Sequence, residues 1–433
     1  MTVPFPSWDA VRLAREAVAA AAPAADEVEL WVHDTAELSC SLLPATGALT
    51  TVHGGGWGYA SRVWADGRCG WAARAVDDLD DLCRLIDQAH WTARDYGVPK
   101  QPPPVITVDT ARRQPITSRL FADVVQSSAT GLADKLTAIG AAVQAVIVNR
   151  YQTIAGLVTR SGADAAEYYS DERLMARCET PYGAVSDAQS RMALHGRIDD
   201  EPLVARVADA LGALAGPGVA PPGDLPVVLR PAVAAPLAGA LAWLLSGTTA
   251  IAYGGIAKAL GRQLFPRCLR VDDPGTEQGE PLRTVDDEGY RVRPVELVAD
   301  GRPVALLHSV DSARAMGHEP NGRGIRFGLP EQPIGQAIRM RIAGGRGVMP
   351  ADHLELCCRI DNLNTMPVAG RLELIVAGWI VRGGRRIRRV APFELNVDLL
   401  SALRLLIGTG DDAVRLVTAA EVTLPSLVLR RLP

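Results

Sequence analysis

Apolar positions near the start of the chain recur at helical spacing. Val11, Leu13, Ala14, Ala17, Val18 and Ala21 share one side of a helix that Ser7 can cap and Pro23 ends. The period then changes to two. In "EVELWV", Val28, Leu30 and Val32 alternate with other residues, which predicts a strand. Strand-like runs follow near 37–43 and 48–53, and the Gly-rich "HGGGWG" reads as a turn connecting strands. "GWGYASRVWADGRCGWAARA" predicts a hairpin that turns at "ADG", residues 65–67. Helical spacing returns over 79–94 through Leu79, Leu82, Cys83, Ile86, Ala89 and Ala93. "PKQPPP", residues 99–104, is a loop or stiff connector.

A second cycle begins near 118. The pattern predicts a helix to about 140, strands at "AVQAVIV" and "TIAGLVT", further extended chain, and a helix near 202–214. "AGPGVAPPGD", 215–224, carries the composition of a boundary. Beyond it lie a short apolar strand, 225–230, and "PAVAAPLAGALAWLL", 231–245, which has no charge at all. A membrane-spanning helix needs about 20 mostly apolar residues. The uncharged run from Ala232 to Ala257 is Ala-rich and interrupted by Pro236, Gly239, "SGTT" and "YGG". A short helix that is apolar all round belongs in a core. After about 264 the chain is strand-rich, through "CLRVDD", "RPVELVADGRPVALLHS", "AIRMRIA", "ELCCRI" and "RLELIVAGWIVRGGRRIRRVAPFELNV". A helix is expected at "LLSALRLLIG". The whole predicts an α+β protein of two domains. Residues 1–220 form an N-terminal α/β domain with antiparallel hairpins, and 221–433 a C-terminal, strand-rich, mixed-sheet domain.

Length supports two domains, because 433 residues exceed what one ordinary core encloses. A net charge of -4 gives no electrostatic argument for nucleic acid or an acidic membrane. The start, "MTVPFPSWDA", lacks the basic and apolar regions of a secretory signal. Seven scattered cysteines with no CxxC read as reduced thiols of a cytoplasmic protein.

Candidate chemistry is sparse. No two of His33, His53, His90, His195, His308, His318 and His353 have the spacing of a helical zinc site. There is no GxSxG elbow. "HSVDS" gathers His308, Ser309, Asp311 and Ser312, but triads are assembled in space and such clusters are commonly turns. Cys357 and Cys358 suit a buried strand. The acidic pairs of "VDDPG", 271–275, and "VDDEGYRVRP", 285–294, suit either cation binding and acid/base work or turn formation. "WIVRGGRRIRRV" carries five arginines around Gly-Gly, with no interleaved aromatics to stack on bases, and reads as a solvated hairpin tip.

From about 225 onward the chain resembles the TldD/PmbA family, also called modulators of gyrase. The resemblance rests on "LPVVLRPAVAAPLAGALAWLLSG", "AKALGRQLFPRCLRVDDP", "TVDDEGYRVRPVELVADGRPVALLHSVDSARAMG", "AGWIVRGGRRIRRVAPFELN" and "PSLVLRRL", in that order. "ADEVELWV" and "GWGYASRVWADGRCGWAA" extend it into the first half. In the TldD branch, the helix after the first C-terminal strand carries H-E-x-x-x-H, a downstream Cys completes the metal site, and the protein acts as a metallopeptidase. The PmbA branch, also called TldE, lacks that motif and pairs with the catalytic branch. Here Ala238, Gly239 and Trp243 stand where His, Glu and His would be, and none can bind a metal or polarise water. The resemblance therefore implies a TldE/PmbA-like, non-catalytic subunit, with no catalytic residue, cofactor or metal on this chain. Zinc or another divalent metal is expected on a TldD-like partner in a heterodimer, though a homodimer is an alternative. Unfolded peptides or small peptide-like conjugates are the implied substrates, and a role in natural-product biosynthesis fits the departure at 318–327, "HEPNGRGIRF". Asp286, Asp287, Glu288, Arg314, His318, Asn321 and Arg323 are the expected cavity-facing residues. The alternatives are a stand-alone hydrolase or lyase using the acidic loops or His318, and a modulator of nucleic-acid enzymes acting through Arg385, Arg386, Arg388 and Arg389.

Overall fold

In the computed structural model, residues 8–21, 25–76, 78–100, 102, 122–192, 198–275, 283–329, 331–366, 370–417 and 421–433 are described. Ser7, Pro23 and half of the Pro-rich connector (101, 103 and 104) lie outside them. The first half runs α1 (Trp8–Ala20), β1 (Glu27–Leu43), β2 (Ala48–Ala65), β3 (Arg68–Arg74), α2 (Leu79–Tyr96), β4 (Val98–Pro99), α3 (Ala122–Ala138), β5 (Ala142–Thr159), β6 (Asp164–Thr180), β7 (Gly183–Met192) and α4 (Glu201–Ala213). Its strands form one antiparallel sheet of order β4-β3-β2-β1-β5-β6-β7.

The runs near 27–32 and 37–43 are one strand of 17 residues. The reason is parity: Val28, Leu30, Val32, Ala36, Leu38 and Cys40 are all buried on one face. Helices α1 and α2 cover one end of that face, and α3 and α4 the other. "HGGGWG" is not a turn. It lies inside β2, where Gly54, Gly55 and Gly56 pair with Glu37, Ala36 and Thr35. Gly55 has φ 150, and a Cβ there would sit 2.5 Å from the Thr35 carbonyl oxygen, so the close approach requires glycine. The turn at 65–67 forms as expected, with Asp66 and Gly67 both at positive φ. Asp78 caps α2 by accepting from the Asp81 N–H at 2.7 Å.

The second half runs β8 (Val227–Leu229), α5 (Pro231–Leu244), α6 (Gly247–Tyr253), β9 (Val271–Asp273), β10 (Val295–Ala299), β11 (Arg302–Pro303), α7 (Val310–Met316), β12 (Gly324–Ile325), β13 (Ile334–Gly335), β14 (Arg339–Ile342), β15 (Arg346–Gly347), β16 (His353–Met366), β17 (Arg371–Arg382), β18 (Arg385–Asp398), α8 (Leu399–Arg404), β19 (Leu406–Thr409), β20 (Val414–Val417), β21 (Glu421–Leu424) and β22 (Leu427–Leu429). Two mixed sheets, β11-β10-β9-β14-β21-β20 and β15-β19-β22-β8-β16-β17-β18, contain the parallel pairs β14–β21 and β8–β16. Helix α5 packs against strands of both sheets. Val233, Ala234, Leu237, Ala238, Ala240, Leu241 and Ala242 are each at most 1% exposed. Among the described residues no helix is long and apolar enough to cross a membrane.

The expected helix at 399–408 stops at Arg404, because Leu406–Thr409 pairs with β22 as a strand. The segment 215–224 is tied to β18: Val219 N–H donates to the Arg389 carbonyl at 3.0 Å and Ala391 N–H to Val219 at 2.9 Å. The sheets divide on either side of this segment, but the core does not. Leu203, Val207 and Ala210 of α4 share one cluster with Cys357, Cys358 and Ala377. All seven cysteines are unpaired.

Candidate functional site at the junction of the sheets

On the face of the first sheet away from the helices, β1 presents Glu29, Trp31 and His33. Antiparallel register sets Glu29 beside Arg62 of β2. Both are buried, at 0% and 2% exposure, and their forks meet at 2.7 and 2.5 Å. Two loops from the second half close on this pair, one around 283–291 and one around 321–327.

From the second loop, Arg326 donates to Glu29 at 3.2 Å and lies over the Trp31 ring at 5.3 Å. From the first loop, Arg283 pairs with Asp287 at 2.8 Å and lies 5.3 Å over the Tyr169 ring of β6. Thr284 bonds Glu167 of β6 through both its N–H and its hydroxyl. Asp287 also accepts the Arg326 N–H at 2.8 Å. Asp286 accepts three backbone N–H groups, from Glu288 at 3.0 Å and from Tyr290 and Gly324 at 2.8 Å. Glu288 accepts the Val310 N–H of α7 at 2.7 Å. Its other oxygen, Oε1, has no hydrogen bond and lies 3.6 Å from Arg62 Nη1. Gly324 is required here, because a Cβ would sit 2.1 Å from Glu288 Oε2. Burial pushes the Asp286 and Glu288 carboxyls up, reinforced by Glu288 at Asp286 and by Asp311 and Glu29 at Glu288. Burial pushes the His33 imidazole, stacked on Trp31, down.

The structure therefore brings Asp286, Asp287 and Glu288 together, but as enclosed groups, each at most 4% exposed. Asp286 and Asp287 line a cavity of about 20 Å³ with Trp31, Glu167, Tyr169 and Arg283, room for about one water. Where the sequence suggested cavity-facing acids, packing makes them ties between loops. Arg323 is 0% exposed; its guanidinium bonds Asp273 and the carbonyls of Asn321, Gly322 and Arg293. Asn321 braces the same loop, accepting the His308 N–H at 3.0 Å and donating to the Leu306 carbonyl at 2.7 Å. Arg314 and His318 are exposed. Arg314 donates to the Pro102 carbonyl at 3.0 Å, and His318 stacks on the buried His308 at 5.1 Å. Burial pushes His308 down to about 4, with its Nδ1 3.2 Å from Ser312 Oγ. "HSVDS" is the buried cap of α7, where Ser309 accepts from the Ser312 N–H.

Glu29, Arg62, Arg283, Arg326 and Glu167 were not singled out from the sequence. A signal exists in retrospect: Glu29 and Arg62 are charges set inside two apolar strands at matching register.

The positions Ala238 and Gly239 on α5 are buried, and Trp243 stacks on Phe327 at 5.6 Å. None offers a ligand atom, so these residues do not fit the metal of the H-E-x-x-x-H motif. Among the described residues, Asp209, Glu355 and Cys357 bring ligand atoms within 4.8 Å of one another. The Arg386 guanidinium already pairs with both carboxylates. Asp209, Cys357 and Arg386 border a cavity of about 400 Å³ lined also by Arg206, Arg230 and Asp412. The Arg-rich hairpin is partly docked, with Arg386 on Asp209 and Arg389 donating to the Gly212 carbonyl at 2.9 Å.

Residues 222–432 match the model of the PmbA/TldA metallopeptidase C-terminal domain. This half of the chain belongs to the PmbA/TldD family, as the sequence resemblance implied. A metalloprotease of Synechocystis sp. is 27% identical over 161 residues, 36% of this chain and 34% of that protein. The matched stretch thus spans about a third of the curated relative. The fold is similar to that of TldE from Thermococcus kodakarensis, at 14% identity and TM-score 0.78 over 97% of this chain and 99% of that one. It is also similar to a candidate modulator of DNA gyrase from Thermotoga maritima, at 17% identity and TM-score 0.75 over 93% and 95%.

Proposed function

We propose that this chain is the TldE/PmbA-like, non-catalytic subunit of a two-subunit metallopeptidase. The observation that carries the reading is the composition of α5: Ala238, Gly239 and Trp243 occupy the H-E-x-x-x-H positions in a helix that otherwise lies in an apolar core. In this reading a TldD-like partner supplies the metal, the general base and the water. This chain completes an enclosure that admits unfolded peptides or small peptide-like conjugates and orients them. Arg314 and His318, exposed beside α7, are its candidate contacts in that enclosure. Asp286, Asp287, Glu288, Asn321 and Arg323 act one step back, by holding the loops that carry the wall. Processing of a natural-product intermediate fits this role, and the cytoplasm is its expected place.

Co-purification of the tagged chain with metal analysis tests the reading. A partner bearing H-E-x-x-x-H, with about one metal per pair, is the expected result. A chain that elutes alone as a homodimer overturns it, as does stoichiometric zinc in the pure chain that is lost in His318→Ala.

A further inference from the structure

The groups that join the loops 283–291 and 321–327 to the first sheet do not balance in charge. Four enclosed carboxyls, Glu29, Asp286, Asp287 and Glu288, face three guanidiniums, Arg62, Arg283 and Arg326, and the half-buried Glu167, held by Thr284, is a fifth carboxyl at the edge. Following the bonds shows which acid is left over. Glu29 takes both Arg62 and Arg326. Asp287 takes Arg283. Asp286 accepts three backbone N–H groups, although burial beside Glu288 still raises its carboxyl. Glu288 has one N–H on Oε2 and nothing within hydrogen-bond distance of Oε1. An enclosed carboxylate with one donor is costly, and such a group keeps its proton.

We propose that this junction is a proton-controlled latch, in which Glu288 docks as the neutral acid and charging it as pH rises loosens the loops and α7 from the sheet. The charged and titratable groups facing Glu288 are Arg62 of β2, Glu29 of β1, Arg326, Asp286 and Tyr290 of the flanking loops, and Asp311 of α7. Arg62 favours the charged form, but Glu29 already engages it through two bonds, whereas burial, Asp311 and Glu29 oppose charging. Burial raises the Glu288 carboxyl from the ordinary 4.5 to about 7. The docked state therefore binds a proton that the opened state releases. Its stabilising contribution is complete below about 4.5 and is lost as pH rises through about 7. The device places the exposed Arg314 and His318, carried on and just after α7, under the control of a buried proton. It does not depend on the identity of the partner subunit.

The test is hydrogen exchange of the Val310 and Gly324 amides, which donate to Glu288 and Asp286, in the wild type and in Glu288→Gln. Glutamine keeps an acceptor for Val310 and cannot charge. The ratio of wild-type to variant opening constants should rise up to about tenfold per pH unit from about pH 5 to about pH 7 and then level off. The ratio is the useful quantity, because His33 also titrates near the junction and cancels in it. A ratio independent of pH overturns the proposal. If Glu288→Gln does not fold, infrared titration of the wild type decides. A carboxylic-acid C=O band lost near neutral pH, and retained in Glu167→Gln and Asp286→Asn, supports the latch. Absence of that band, or its removal by either variant, overturns it.

Discussion

Arg62 is 2% exposed and touches carboxylates from both halves of the molecule, Glu29 across the strand pair and Glu288 on the loop. A buried guanidinium with partners is tolerated; buried carboxylates stripped of theirs are not. Arg62→Met should therefore cost about 1.5–3 kcal/mol in urea unfolding, because Glu29 loses two charged hydrogen bonds and keeps only Arg326. A loss below about 1 kcal/mol would place the pair in the class of solvated surface bridges. The same logic explains why single residues were hard to rank from the sequence. Asp286 and Asp287 read equally well as ligands or turn formers, and nothing in "VDDEG" says that the Gly324 and Arg326 N–H groups would come to meet them.

At the scale of elements, periodicity served well wherever one face of a strand or helix is buried. Of the α2 stripe its spacing predicts, Leu82, Ile86, Ala89 and Ala93 are buried, joined by Leu85, while Leu79 and Cys83 are half-buried at its edge. Helix α5 was legible as a core helix from its lack of charge, and it packs against both sheets of the second half. Leu241→Ala at its centre, 0% exposed, should destabilise by about 2–5 kcal/mol in chemical denaturation, the cost of a large core truncation. A change within about 0.5 kcal/mol would show that the helix is peripheral. Where the period was misread, pairing had intervened. "HGGGWG" looks like a turn in isolation, but 17 residues of β1 hold it extended. "LLIG" continues a helical pattern until β22 offers an edge to pair with.

The whole molecule has separate sheets and a joined interior. The cluster around α4 takes in Cys357, Cys358 and Ala377 from beyond the boundary-like segment, and Val219 within that segment is bonded to β18. Burial shared across the boundary couples the two halves energetically. Scanning calorimetry of the full chain should give one cooperative transition, with the calorimetric and van't Hoff enthalpies equal. Two resolved transitions would mean that the shared cluster is too weak to couple them.

The sequence by itself determined the element types wherever one face is buried, the α+β class, the buried character of α5 and the lack of ligand atoms at Ala238, Gly239 and Trp243. These depend on local periodicity and residue chemistry, which a single chain displays directly. Tertiary structure alone decided that the acids at 286–288 face inward, that Arg323 has no surface, and that Glu29 and Arg62 complete the junction. Burial and charge pairing depend on which loops meet which sheet face, and those contacts join residues up to 297 positions apart, as in Arg326 on Glu29.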